Sequence, residues 1–238
     1  MNWLKSILHD SGGLSYHWRS LLYQGQLWQA HLKATAGFLE EWNPDTKVLY
    51  LIGPSGGYSL PRSWLKTFDR IIAIEPDPIA RLIFNLRMGI WPKWIKAPFS
   101  FPAPDRVNSE FEAGSAILFC NLLGQLDFDQ DSGMNAQEAL LRLAEQHPVA
   151  SYHDVLSGDG FRFEYGTDST EIAAFRSKID PEDLDPYISP QDGVTELDLH
   201  LHPAAFLFQD EPPFTYQYWE WRLTQNQTHV IEGIYSKK

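Results

Sequence analysis

Hydrophobic positions follow two different spacings along the chain, and the change divides a helical beginning from an alternating remainder. Before residue 43, apolar side chains recur at helical spacing among polar ones, and Gly25 is a predicted break. From Lys47 onward, short continuous apolar runs alternate with amphipathic stretches. We therefore predict an N-terminal helical cap over residues 1–45 and one strand–helix domain over residues 46–238.

The continuous apolar runs predict parallel strands, because a strand covered by helices on both faces has no polar side. Amphipathic stretches at 61–68 and 136–146 predict helices between them. Strands and helices in alternation predict right-handed βαβ crossovers and an α/β fold. The predicted strands are residues 48–52, 71–74, 116–120 and 149–156, with a less clear one between 94 and 101.

One predicted helix carries signals at both ends. Asp77 is a good N-cap, Pro78 suits the first helical position because no N–H is needed there, and Gly89 suits the C-terminal end. The apolar face of this helix is predicted to be Ile79, Leu82, Ile83, Leu86 and Ile90.

The C-terminal part has strands without intervening helices. Residues 196–201 and 216–223 alternate between polar and apolar, and residues 229–235 form a last apolar run. These predict an antiparallel element that completes the parallel sheet. The acidic stretch 158–194, with predicted helix starts at Asp168 and Asp180, is interpreted as an insertion over the sheet edge.

Charge and cysteine content narrow the function classes. Thirty-one acidic residues against nineteen Lys and Arg give a net charge of −12, which argues against bulk nucleic acid binding. The single cysteine, Cys120, excludes an internal disulfide and is predicted to be a buried structural thiol. No apolar run is long enough to span a bilayer, and the beginning lacks a signal-peptide pattern. We expect a cytoplasmic protein.

Candidate chemistry lies at the carboxyl ends of the strands, where open parallel sheets bind ligands. The turn Gly53-Pro54-Ser55-Gly56-Gly57 has three glycines, which let the backbone approach a ligand closely. Glu75 ends the next predicted strand, where a carboxylate can accept hydrogen bonds from both hydroxyls of a ribose. A glycine turn followed about twenty residues later by an acid is typical of nucleotide-type cofactor sites.

These segments resemble the motifs of class I S-adenosylmethionine-dependent methyltransferases. Residues 48–57 and 71–77 resemble the first two motifs, the strand ending at Asn121 resembles the fourth, and residues 229–233 resemble the last strand. The resemblance implies a doubly wound, mostly parallel seven-stranded sheet with an antiparallel edge strand. It also implies S-adenosylmethionine contacts at Gly53, Ser55 and Gly57, a ribose contact by Glu75, and methyl transfer near Asn121 to a small molecule or a protein.

Two departures from the family pattern keep other functions open. The family usually has an acid two places before the first glycine, where this chain has Leu51, and Ser55 replaces the second glycine. One alternative is a non-catalytic relative that binds a partner through its aromatic tail, 214–221, or its acidic insertion. Another is an α/β-hydrolase, because Gly53-X-Ser55-X-Gly57 also fits a nucleophile elbow with Ser55 as nucleophile and a histidine near the end as base.

Five further side chains are catalytic or metal-binding candidates by residue type. Asn121 offers a donor and an acceptor to a substrate, and His153 is a candidate general base for the methyl acceptor. Asp154 follows His153, but neighbouring strand residues point to opposite faces, so the two are not expected to form a dyad. His200 and His202 share one strand face, but the sequence indicates no third ligand, so we predict no metal site.

Overall fold

The computed structural model describes residues 14–100, 110–123, 130–163, 187–191, 197–202 and 214–236. The helices are α1 (Leu14–Tyr23), α2 (Gln29–Trp42), α3 (Arg62–Leu65), α4 (Pro78–Met88) and α5 (Gln130–Gln146). The strands are β1 (Val48–Ile52), β2 (Arg70–Ile74), β3 (Lys93–Ile95), β4 (Ser115–Cys120), β5 (Val149–Asp159), β6 (Phe161–Phe163), β7 (Ile188–Pro190), β8 (Asp198–Leu201), β9 (Phe214–Arg222) and β10 (Gln227–Ser236).

The main sheet confirms the predicted fold class. Its strand order is β3-β2-β1-β4-β5-β10-β9, and the first five strands are parallel. β10 is antiparallel to both β5 and β9, so it is the reversed strand of this seven-stranded path, next to the edge strand β9. β8 adds an antiparallel pairing to the far half of β5, beyond the part that pairs with β4.

Side chains of the central strands alternate between two cores, as a sheet covered on both faces requires. Leu49 and Leu51 of β1 face the core that contains Phe38 of α2. Tyr50 and Ile52 face the opposite core, which contains Leu140 of α5. The two predicted N-terminal helices are confirmed as α1 and α2, separated by a turn around Gly25.

The caps of α4 are confirmed, and its predicted apolar face is confirmed only in part, since Ile83 and Ile90 pack against the core but Leu82 and Leu86 are exposed. Asp77 accepts a hydrogen bond from the Ile79 N–H, and Gly89 closes the helix at φ 60°. The buried positions are Ala80, Asn85, Phe84 and Met88, whereas the side chains of Leu82 and Leu86 are 55% and 71% exposed. The reason is Gly57: because it has no side chain, Phe84 and Met88 fill the space beside it.

The region predicted as an insertion is partly within the described residues. β5 is longer than predicted, reaching Asp159, and after Gly160 the chain forms β6, which pairs with β7 in a separate two-stranded sheet. The helix starts predicted at Asp168 and Asp180 lie outside the described residues. The predicted boundaries of the cap and the insertion stay predictions. In the described part of the chain, no helix combines the length and apolarity that a membrane crossing needs.

Candidate functional site

The sheet reverses its order between β1 and β4, and the glycine turn begins at that switch point. The chain adds β2 and β3 on one side of β1, then returns to place β4 and β5 on the other. Open sheets bind ligands in the crevice outside the strands at such a point. Gly53 lies beside the β4 end here: a Cβ built on it would be 3.4 Å from Leu122 Cβ and 3.6 Å from the Cys120 carbonyl oxygen.

The glycine turn and the predicted ribose-binding acid are in direct contact. The Ser55 N–H donates to Glu75 Oε2 at 3.0 Å, and the Asp77 N–H donates to Glu75 Oε1 at 3.0 Å. Gly53, Ser55 and Gly57 have φ values of 67°, 49° and 69°, the left-handed region that favours glycine. The carboxylate of Glu75 therefore holds the turn in a conformation with three left-handed residues.

Glu75 is 7% exposed, and its carboxylate has acceptor capacity beyond these two bonds. Burial raises the pKa of the Glu75 carboxyl above its usual value, although the N–H groups of Asp77 and Ser55 act in the opposite direction. An ionised carboxylate offers about four lone-pair sites, of which the backbone uses two. The remaining sites suit hydroxyl donors.

The end of β4 is joined to β5 by a side-chain pair. Asn121 Nδ2 donates to Asp154 Oδ2 at 3.3 Å, and the Asp154 N–H donates to Asn121 Oδ1 at 3.1 Å. Asn121 itself has a φ of 50°, which asparagine tolerates better than most residues. Burial disfavours an ionised Asp154, but the His229 and His202 imidazoles and Asn121 outweigh it and hold the pKa of Asp154 below its usual value.

Comparisons with known proteins find relatives at the level of structure only. The sequence matches no protein-family profile and no curated protein. Solved structures that resemble it include the N-methyltransferase NodS from Bradyrhizobium japonicum WM9 in complex with S-adenosyl-L-homocysteine, at 10% identity, TM-score 0.48, covering 99% of this chain and 96% of that one. A second is the rRNA methylase from Streptococcus thermophilus, at 10% identity, TM-score 0.43, covering 87% of this chain and 96% of that one.

A third is magnesium protoporphyrin IX methyltransferase (ChlM) from Synechocystis PCC 6803 with bound SAM, at 8% identity, TM-score 0.40, covering 97% of this chain and 88% of that one. Likenesses this distant do not carry the assignment, which depends on the chain's own topology. Seven strands in one path, with β10 alone reversed, are what the sequence resemblance implies. The protein has a doubly wound α/β fold with this topology.

Leu51 stands where the family that the sequence resembles usually has a first-strand acid. It is fully buried and pairs in register with Ala73 on one side and Leu118 on the other. Leu51 belongs to the core on the α2 face, so it brings no charge to the crevice. The departure noted in the sequence is therefore a continuation of the apolar core.

His153 lies on the opposite face of β5 from Asn121. Its ring is fully buried, with Nδ1 2.9 Å from Ser151 Oγ and Nε2 3.4 Å from Glu232 Oε1. A catalytic role for His153 stays a prediction. The neighbouring Asp154 is the residue that contacts Asn121, and no role of its own was predicted for it.

The histidines proposed for the hydrolase alternative lie away from Ser55. The Ser55 backbone contacts Glu75 of the β2 end, whereas His229 lies 3.2 Å from Asp154 beyond β5. β4 separates these two places in the sheet. The arrangement does not favour a triad with Ser55 as nucleophile.

Helix α1 contacts the residue that follows the glycine turn, a contact that no sequence motif indicated. His17 Nδ1 is 2.7 Å from the Tyr58 hydroxyl, and His17 Nε2 is 3.8 Å from Asp77 Oδ2. Burial lowers the pKa of His17, although Asp77 opposes this shift. The cap therefore lies against the residues that follow both the glycine turn and Glu75.

Proposed function

We propose that this protein is an S-adenosylmethionine-dependent methyltransferase that acts on a small molecule or a protein. The observation that carries the proposal is the direct contact between the glycine turn and Glu75 at the switch point of the sheet. A backbone turn with left-handed residues next to a buried carboxylate is suited to an adenosine group: the backbone approaches closely, and the acid accepts the ribose hydroxyls.

The proposed cofactor contacts are those that the sequence indicated. Gly53, Ser55 and Gly57 supply the turn, Glu75 accepts the two ribose hydroxyls through its remaining lone pairs, and Asn121 borders the crevice from the β4 end. The bound cofactor supplies a methyl group on a sulfonium, whose departure leaves a neutral sulfide. The protein therefore needs mainly to hold the acceptor in line with that methyl group and to exclude competing geometries.

The class of acceptor follows from charge. With a net charge of −12, the protein lacks the general positive field that phosphate-rich polymers require. A small molecule or a protein is therefore the proposed acceptor. The Asn121–Asp154 pair, in which Asn121 is partly exposed, provides polar atoms beside the crevice that can orient such an acceptor.

A non-catalytic role is the second candidate, and Leu51 is the observation that favours it. A methyltransferase fold without the first-strand carboxylate has lost one hold on the cationic part of the cofactor. However, Phe214, Tyr218, Trp219 and Trp221 of the aromatic tail are buried, and Trp219 packs against Phe38 of α2. A partner-binding role would therefore depend on the acidic insertion.

Calorimetric titration with S-adenosylmethionine and S-adenosylhomocysteine tests the proposal. We expect both to bind at one site, and we expect Glu75→Gln to weaken binding by about tenfold or more, because hydrogen bonds to a charged group contribute about 1.5–3 kcal/mol. The matched control is Glu138→Gln, an exposed acid on α5 paired with Arg142, which should bind like the wild type.

Circular dichroism of Glu75→Gln separates loss of the turn from loss of the ribose contact. No binding of either compound to the wild type at millimolar concentration contradicts the proposal and favours the non-catalytic role. Binding that is equal in wild type and folded Glu75→Gln also contradicts it, because the site would then lie elsewhere.

A further inference from the structure

Three potential metal ligands meet next to Asn121, on the β5 side of β4. Asp154 of β5, His202 just after β8 and His229 of β10 each bring one ligand atom, and these atoms all lie within 4.8 Å of one another. His229 Nδ1 and Asp154 Oδ1 are 3.2 Å apart. β8 and β10 both pair with β5, which brings the three residues together.

A β-bulge places these side chains on one face. Val230 pairs with Leu156 but Ile231 pairs with Asp154, so Val155 is an extra residue in β5. Without it, strict alternation would put Asp154 and Ser157 on opposite faces. With it, Asp154 shares a face with Ser157, whose cross-strand partner is His229. Bulges of this kind recur beside functional sites, where they redirect a side chain.

Buried polar atoms in this group lack hydrogen-bond partners among the described residues. They are Asp154 Oδ1 and both ring nitrogens of His229, and the two residues are 4% and 8% exposed. Buried polar atoms are normally satisfied, so each exception calls for an explanation. The nearest atoms of these two side chains, Asp154 Oδ1 and His229 Nδ1, are 3.2 Å apart. Two ligand atoms that bind the same metal ion lie at about this separation.

We propose that Asp154, His202 and His229 bind one divalent transition-metal ion, for which Zn²⁺ is the best match. Two imidazoles and one carboxylate form a donor set that zinc accepts in tetrahedral sites, with bonds of about 2.0–2.2 Å. Two ligand atoms on such an ion lie about 3.4 Å apart, close to the spacing of Asp154 Oδ1 and His229 Nδ1. His202, which is half-buried, closes the remaining gap of at most about 1.4 Å by side-chain rotation.

Contacts around the three ligands resemble the outer support of a metal site. Asn121 Nδ2 donates to Asp154 Oδ2, the carboxylate oxygen other than the one nearest His229. Ser157 Oγ lies 2.9 Å from His202 Nε2 and so holds the ring. Hydrogen-bonding partners of this kind orient metal ligands. Three protein donors leave a fourth position for water or for a substrate oxygen.

The metal site goes beyond the proposed function and does not depend on it. Its ligands are Asp154, His202 and His229, whereas the proposed cofactor site is built from the glycine turn and Glu75. A titration with Zn²⁺ on protein made without a histidine tag and stripped with a chelator tests it. We expect one equivalent of Zn²⁺ to bind, and Co²⁺ in its place to give the visible absorption of a tetrahedral ion. Failure of cofactor binding would leave this result unchanged.

Variants assign the ligands. Asp154→Asn and His229→Gln keep side-chain size and should each weaken Zn²⁺ binding by more than about 100-fold, and Ser157→Ala by about tenfold or more. The matched control is His200→Gln: His200 is exposed on the same strand as His202, and the variant should bind Zn²⁺ within about threefold of the wild type. Circular dichroism of each stripped variant shows whether it folds.

Anomalous scattering at the zinc edge from wild-type crystals grown with Zn²⁺ keeps the test independent of the variants. A peak between the three side chains supports the proposal. No saturable Zn²⁺ or Co²⁺ binding by the wild type overturns it. Undiminished binding by folded Asp154→Asn and His229→Gln, a loss in His200→Gln as large as theirs, or an anomalous peak elsewhere overturns it as well.

Discussion

The two polar regions at the carboxyl edge of the sheet differ in how completely their groups are satisfied. In the first region, the glycine turn, both oxygens of Glu75 accept backbone N–H groups. In the second, the group of Asp154, His202 and His229, three buried atoms have no hydrogen-bond partner among the described residues. In the first region the backbone holds each carboxylate oxygen and lone pairs remain for a ligand, whereas in the second whole atoms have no partner among the described residues.

The two regions also differ in how they are assembled. The glycine turn and Glu75 come from consecutive strands, and one short crossover brings them together. The histidine group requires β5, β8 and β10, which pair across long stretches of chain, and a bulge at Val155. The first region depends on backbone conformation and the second on long-range strand pairing, so the two regions should respond differently to substitution.

The largest expected effect is on the glycine turn. In Gly57→Ala, the added Cβ would lie 2.8 Å from Met88 Cε and 2.9 Å from Phe84 Cδ2, and φ stays at 69°. Overpacking and left-handed strain together should lower the free energy of unfolding by about 2–4 kcal/mol. Urea unfolding followed by circular dichroism measures this.

The control for this prediction is Gly37→Ala within α2. A Cβ at Gly37 meets nothing within 4 Å, so alanine should stabilise the helix by up to about 1 kcal/mol. If both variants had the same stability, the turn would not be the tightly packed element that the structure describes.

The next effect is the pH dependence of stability that the buried His31 causes. The Trp219 Nε1–H donates to His31 Nδ1, so the His31 proton is on Nε2, which lies 2.8 Å from Ser59 Oγ. Burial lowers the pKa of His31 from 6.5 to about 3; Asp154 opposes this shift, and His229 adds to it. Below pH 6.5 the unfolded chain takes up a proton that the folded protein refuses until about pH 3.

The stability that neutral His31 provides is therefore fully present above pH 6.5 and is lost as the pH falls toward 3. Between about pH 6 and 5, the wild type should lose about 1 kcal/mol more than His31→Gln, which keeps a donor and an acceptor but does not titrate. Urea unfolding at the two pH values gives the difference in slope. Equal slopes would show that His31 is protonated in the folded protein.

The smallest effect is at the junction of the two regions. Asn121→Ala and Asn121→Gly both remove the hydrogen bonds to Asp154, but only alanine is strained at a φ of 50°. Asn121→Gly should therefore be about 1 kcal/mol more stable than Asn121→Ala in urea unfolding. The opposite order would mean that the left-handed conformation is not kept once the side chain is gone.

The sequence was sufficient for most of the sheet and for the first region. Strands 48–52 and 116–120 appear as apolar runs, and Asp77 and Gly89 mark the ends of α4, because these signals are local. The apolar face of α4 was predicted correctly at Ile83 but wrongly at Leu82 and Leu86, because two apolar stripes, one through Leu82 and one through Phe84, share helical spacing. Only the space beside Gly57 decides between them.

The second region could not be predicted from the sequence, because its residues come from strands that are distant along the chain. His202 and His229 were each visible as candidates, but their meeting with Asp154 depends on which strands pair and in what register. One extra residue at Val155 changes which side chains share a face, and no local pattern marks it. His153 attracted attention by residue type, yet it lies on the opposite face, with Ser151 and Glu232.

The central claim is that the turn from Gly53 to Gly57 and Glu75 together hold an adenosine group. A crystal structure of the protein grown with S-adenosylhomocysteine tests this most directly. The account predicts density for the ligand at the end of β1, with its ribose hydroxyls within hydrogen-bonding distance of the Glu75 carboxylate. Density for the ligand at another place, or none at saturating concentration, would contradict it.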